Sequence, residues 1–396
     1  MMQISPETQL FIREHSSDDV RVLALQAKKY PDIDMPTVIT QIAGRKVAAE
    51  KIPSWWEIEK IWYPKHLSLE QCSSEITARY KARLLQGDSL TDLTGGFGID
   101  CSFLATGFKS ATYVERQEEL CEIAAHNFPV LNLNHINIKN EDGVTYLQVM
   151  SPVDSLFLDP ARRNEHGGKT VAISDCEPNV AELEELLLQK ANRVMIKLSP
   201  MLDLSLALKE LKQTQEVHIL SVNNECKELL ILLGQTSPAE ISIHCVNLFT
   251  KGTQKEQHFV FTREQEQCSE CTYTDSLETY LYEPNASLLK AGAFRSIAAA
   301  YPVRKLHPNS HLYTSDTFIE NFPGRIFRIV NQCSFNKKEV KENLADLKKA
   351  NVTVRNFPAT VAELRKRIHL AEGGDTYLFA STLNNGQKVL IRCEKV

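Results

Sequence analysis

Residues 90–100 read Leu90-Thr91-Asp92-Leu93-Thr94-Gly95-Gly96-Phe97-Gly98-Ile99-Asp100, an apolar strand that runs into three glycines and opens a helix. Glycine lets a backbone approach a ligand closely and take conformations that a Cβ forbids. The next apolar stretch, Ala111-Thr112-Tyr113-Val114, ends at Glu115, 23 residues after Asp92. An acid at the end of the second strand is placed to accept hydrogen bonds from both hydroxyls of an adenosine ribose. A GxGxxG pyrophosphate loop would need glycine at 101, where the chain has Cys101. The pattern therefore predicts an adenosine ligand without a pyrophosphate, with Asp92, Gly95, Gly96, Gly98 and Glu115 as candidate binding residues.

Outward from this turn, short apolar runs alternate with helical stretches, the signature of repeated strand–helix units. Strands are expected near Ser89–Leu93, Ala111–Val114, Ile136–Lys139, Ser155–Leu158, Arg193–Lys197 and Glu216–Val222, with Leu229–Leu233 as an antiparallel partner. Helices fit between them, notably Glu118 to Phe128 and Asn179 to Lys190. The expected architecture is α/β, a Rossmann-like, seven-stranded, mostly parallel sheet whose ligands sit beyond the C-terminal strand ends.

Residues 1–86 contain one glycine, Gly44, and apolar residues recur at helical spacing, which predicts an N-terminal helical domain. Its last helix is expected to start at Ser73-Ser74-Glu75, with a hydroxyl cap, and to run to Leu85 before Gly87. The α/β domain is then 87–265, ending at the polar stretch Arg263-Glu264-Gln265-Glu266-Gln267. A small connecting α+β domain is expected over 275–320 and a last module over 321–396. That module reads as strand 325–330, helix 336–349, strand 352–357, helix 360–370, and a hairpin of 376–382 with 387–394 turning at Asn384-Asn385-Gly386. The layout is close to ferredoxin-like.

The chain has 396 residues, 43% hydrophobic and 24% charged, and no run approaches the roughly 20 apolar residues of a membrane span. Nothing in Met1-Met2-Gln3-Ile4-Ser5-Pro6-Glu7 resembles a secretory signal, so a cytoplasmic protein is expected. Ten scattered cysteines read as reduced thiols. Cys268 and Cys271 form a CxxC without a second ligand pair, so no metal is expected. The net charge of −5 hides an asymmetry: residues 320–396 hold 14 Lys and Arg against 8 Asp and Glu, which gives +6 there and −11 for the rest. A basic end on an acidic body suggests a polyanionic partner or an ordinary solvated surface. The oligomeric state cannot be read from these features.

Residues 90–100 resemble motif I of class I S-adenosylmethionine (SAM) dependent methyltransferases, in which the acid ahead of the loop corresponds to Asp92. The resemblance implies that Glu115 holds the ribose and that Asp142, in Asn140-Glu141-Asp142-Gly143, contacts the adenine amino group. The fourth strand delivers Asp159-Pro160-Ala161-Arg162-Arg163 to the same edge, where the methyl acceptor is expected. In amino-methylating nucleic-acid enzymes the related motif is Asp/Asn-Pro-Pro-Tyr/Phe, and Arg162 here takes the aromatic position. Asp-Pro-x-Arg also looks like uracil-C5 RNA methyltransferases, but these use a cysteine where this chain reads Val194-Met195-Ile196-Lys197-Leu198-Ser199-Pro200. Asp159 is the candidate for positioning the acceptor or taking its proton. Lys197 is a candidate facing the acceptor, and Arg162 and Arg163 could clamp a phosphate.

Along most of its length from residue 69, the chain resembles bacterial class I SAM-dependent methyltransferases that end in a THUMP-like domain. The resemblance rests on residues 69–81, on 159–163, on Glu283-Pro284-Asn285-Ala286 and on Phe322-Pro323-Gly324-Arg325. It implies SAM as cofactor and RNA modification, with RNA held by the basic module. A methyltransferase for a small molecule or protein, a non-catalytic SAM- or RNA-binding protein, and a hydride-transfer enzyme are the alternatives.

Overall fold

The computed structural model describes residues 4–162, 172–236 and 238–396. It divides into two compact units, Met1–Gln215 with Leu229–Pro238, and Glu216–Glu228 with Ala239–Val396.

The first unit begins with helices that local sequence starts in the usual way. Ser5, Asp19 and Asp34 accept backbone amides at the starts of Pro6–Glu14, Val20–Leu25 and Met35–Lys51. The helix expected from Ser73 runs over Glu75–Ala82, and its cap residue Ser74 makes no side-chain cap bond. Ser73 instead bonds Asp100, so the hydroxyl read as a cap serves a tertiary contact.

These helices share a core with the glycine turn. Ile52, Trp55, Tyr63 and Leu69 pack with Phe97, Ile99, Phe103 and Ile123. Asn127 fastens the joint, accepting from the Trp62 amide and donating to the Trp62 carbonyl, both at 2.9 Å.

The expected strands are all present: β1 (Ser89–Asp92), β2 (Ser110–Glu115), β3 (Ile136–Asn140), β4 (Val153–Leu158), β5 (Ala191–Leu198), β6 (Thr214–Val222) and β7 (Glu225–Gly234). In the first unit the order is β7-β5-β4-β1-β2-β3. β1 to β5 pair in parallel, and residues 229–234 of β7 run antiparallel to β5. The sheet interior is apolar, with Leu156, Phe157, Val194, Met195 and Ile196 buried.

In the second unit β6 pairs in parallel with β8 (Ser242–Leu248), and β8 pairs antiparallel with β9 (Glu256–Thr262). These two further strands were not expected. The polar stretch expected as a junction is a helix, Arg263–Cys268, with a Thr262/Gln265 capping box. The last module keeps the βαβαββ sequence: strand Gly324–Ser334, helix Lys337–Leu344, strand Lys349–Val354, helix Val361–Ile368, and strands Ala371–Thr382 and Lys388–Lys395. The first helix ends five residues earlier than expected and the second strand starts three earlier. Lys349 and Ala350 pair with Ala371 and Glu372 rather than extending a helix.

Among the described residues no helix is long and apolar enough to cross a membrane.

Candidate functional site

The described sequence-predicted site residues lie in the first unit, at or just beyond the C-terminal ends of β1 to β5. The turn after β1 is shaped by glycines with different duties. A Cβ on Gly95 would stand 2.2 Å from the Tyr113 ring, so Gly95 is required by packing. Gly98, at φ +87, starts helix Ile99–Ala105 in the left-handed region. Gly96, at φ +53, would direct a Cβ into open space, its nearest neighbour being the Thr94 carbonyl at 3.8 Å. That vacant side of the backbone is where the turn can receive a ligand.

Carboxylates stand at the neighbouring strand ends. Glu115 accepts from the Gly96 amide at 2.9 Å through Oε2 and from the Gln117 amide at 2.8 Å through Oε1. The strand-end acid is thereby held against the glycine turn. Asp92 accepts from the Thr94 amide at 3.0 Å through Oδ1, while its buried Oδ2 has no partner among the described residues. Burial pushes the Asp92 carboxyl well above its ordinary pKa, and the charges of Asp100, Asp159 and Glu115 add to the effect.

Asp142 is exposed and caps helix Gly143–Val149, its Oδ1 accepting from the amides of Val144 and Thr145 at 3.0 Å each. A Cβ on Gly143 would stand 2.2 Å from the Leu93 carbonyl, so this turn packs against the end of β1.

Asp159 follows β4. Its amide donates to Thr94 Oγ1 at 2.6 Å, which ties the end of β4 to the glycine turn. Its carboxylate pairs with Lys197 at the end of β5, so these two predicted residues do meet. Lys197 is buried, however, and its ammonium also lies 3.7 Å from Asp100. It is a partner of carboxylates rather than a group presented to an acceptor.

Sequence reasoning missed the rest of this network. Asp100 bonds Lys81 at 2.9 Å and Ser73 at 2.7 Å, and Lys81 donates to Ser73 at 2.8 Å. Burial alone would raise the Asp100 carboxyl, but Lys81, Lys197 and the Ser73 hydroxyl outweigh it and hold the group below its ordinary value. Asp159 goes the other way: burial raises it, and Lys197 offsets only part. The signal in the sequence was a lysine on the inner face of the last N-terminal helix, with nothing local to name its partner.

Arg162 lies in a two-residue strand that pairs with Cys176–Glu177, and its side chain falls outside the described residues, as does the whole of Arg163.

A ferredoxin-like domain family matches residues 280–323, and a family described as THUMP domain-like matches residues 324–395. Over its full length the chain is similar to a crystal structure named "putative methyltransferase from Porphyromonas gingivalis W83", with 34% identity, a TM-score of 0.88 and all of both chains covered. An rRNA methylase from Streptococcus thermophilus shares 15% identity at a TM-score of 0.29, over 40% of this chain and 93% of its own. TrmK from M. capricolum, bound to S-adenosyl-homocysteine, shares 12% at 0.32, over 41% and 68%. No curated protein matches the chain in sequence.

Proposed function

We propose, from the premise that the chain belongs to the bacterial class I SAM-dependent methyltransferases with a C-terminal THUMP-like domain, that it binds SAM at the glycine turn and methylates RNA. The observation that carries the cofactor reading is the open side of Gly96, in a turn whose amide donates to the buried acid Glu115 and which follows the buried acid Asp92. SAM has a net positive charge, so a pocket rich in carboxylates favours it and disfavours a pyrophosphate cofactor. The orphan Oδ2 of Asp92 fits the same reading, since a cationic ligand would give it the partner it lacks.

The cofactor supplies a sulfonium methyl open to in-line displacement. Glu115 would hold the ribose hydroxyls, Asp142 the adenine edge, and Gly95, Gly96 and Gly98 would shape the turn. Asp159 would position the acceptor and take its proton, helped by the burial that makes its carboxyl a stronger base than an ordinary aspartate. Lys197 would act through Asp159, as a positioning residue. Arg162 stays a candidate clamp for acceptor phosphate.

RNA as acceptor is supported by the charge of the last module. Several of its cations are already engaged: Arg325 and Arg355 pair with buried Glu283, Arg328 with Glu394, Arg365 with Glu372 and Arg392 with Asp346. Lys337, Lys338, Lys341, Lys348, Lys349 and Lys366 are exposed and are the groups proposed to meet phosphates.

The test is to incubate purified protein and labelled SAM with RNA, protein and small-molecule extracts from cells lacking the gene. Label in the RNA fraction, lost with Asp159→Asn, supports the reading; label only in another fraction replaces the acceptor.

A further inference from the structure

Outside the cofactor site, three neighbouring strands of the second unit carry a row of imidazoles. His218 on β6 and His244 on β8 are register partners in the parallel ladder. His258 on β9 sits diagonal to His244, opposite Val246. The rings stack, with centroids 4.3 Å apart for His218 and His244 and 5.3 Å apart for His244 and His258. Glu216 precedes His218 by two residues and so shares its strand face, its Oε2 lying 3.2 Å from His218 Nε2. One donor atom each from Glu216, His218 and His244 lies within 4.8 Å of the other two.

We propose that Glu216, His218 and His244 bind a divalent transition-metal ion of the zinc class, with His258 orienting His244 from the outer sphere. Two imidazoles and one carboxylate suit zinc and its neighbours rather than calcium or magnesium. A tetrahedral ion with bonds of about 2.0–2.1 Å has ligand–ligand edges of roughly 3.3 Å. The Glu216–His218 separation already matches such an edge; the two separations to His244, within 4.8 Å, and the stacked His218 and His244 rings require side-chain rotation to converge on one ion.

His258 Nε2 lies 3.1 Å from His244 Nδ1, the kind of outer hydrogen bond that fixes a ligand's tautomer. With Nδ1 so engaged, Nε2 of His244 is the nitrogen assigned to the ion. Three protein ligands leave one position for water or an incoming donor. The expectation of no metal rested on Cys268 and Cys271 and did not consider these residues. Glu216 and His218 are close in sequence, but His244 joins them only through strand pairing.

The test uses full-length protein stripped with a chelator, titrated with Co²⁺ while ligand-field absorption is followed, then with Zn²⁺ as competitor. The parent should take up one ion per chain, give the intense visible bands of low-coordinate Co²⁺, and lose them to Zn²⁺. Glu216→Gln and His244→Asn, both on partly exposed side chains, should each bind at least tenfold more weakly. Melting curves check the fold: Zn²⁺ should raise the melting temperature of the parent and not of the variants. Absence of saturable uptake by the parent, or equal uptake by parent and both folded variants, overturns the proposal.

Discussion

Asp92 shows how a buried carboxyl can oppose the fold that holds it. Its Oδ2 is buried without a partner, and its nearest charged neighbours are acids. A carboxyl whose folded pKa is raised contributes stability below the ordinary carboxylate pKa and loses it as pH rises through the folded value. At neutral pH this carboxyl therefore opposes folding, relative to acid conditions. Asp92→Asn should raise the melting temperature of the ligand-free chain, by a stability change on the order of 1 kcal/mol, while weakening SAM binding. Thermal melts with and without SAM check this, and a lower melting temperature without SAM would contradict it. Asp159 and Lys197 give a second expectation. A base must be deprotonated, so kcat/KM should rise with pH through the raised pKa of Asp159. Lys197→Met removes a lowering influence and should move that acidic limb to higher pH, with SAM affinity within a few fold. A pH–rate profile reads the shift; an unmoved limb would detach Lys197 from Asp159.

At the scale of elements, the glycine turn separates packing from binding. Gly95→Ala drives a Cβ into the Tyr113 ring and should destabilise the fold by about 1–3 kcal/mol. Gly96→Ala meets no atom closer than 3.8 Å, so after a modest backbone strain its main loss should be SAM affinity. Denaturation and calorimetry on the two variants distinguish the effects. Helix Glu75–Ala82 is tied to the helix that follows the turn through fully buried Lys81 and largely buried Asp100. Lys81→Met leaves Asp100 without its closest cation and should cost about 3–5 kcal/mol, partly recovered by adding Asp100→Asn. The strands and the strand-end acids were legible because alternation, glycine spacing and residue order are local properties. Asp100–Lys81 was not, since no local pattern links residues 19 apart on separate helices. Strand Ser242–Leu248 was readable from Ile243, Cys245, Val246 and Leu248 and was passed over, because the expected sheet was already complete at Leu229–Leu233.

For the whole molecule, the charge asymmetry supplies a test between acceptors. If Lys337, Lys338, Lys341, Lys348, Lys349 and Lys366 meet RNA phosphates, affinity must fall steeply with salt, since each neutralised phosphate releases condensed counterions. Changing Lys337, Lys338, Lys341 and Lys366 to Gln should flatten the slope and leave SAM binding intact. Arg325 is unsuitable for this test because it pairs with buried Glu283. A slope near zero would move the acceptor to a small molecule or protein. The proposed adenosine cofactor depends above all on Glu115, whose Oε2 already accepts from the Gly96 amide of the glycine turn. Calorimetry of SAM binding to the parent and to Glu115→Ala tests this most directly. Loss of two charge-assisted hydrogen bonds, each worth about 1.5–3 kcal/mol, should weaken binding at least tenfold. Equal affinity in a folded Glu115→Ala variant, or no SAM binding by the parent, would contradict it.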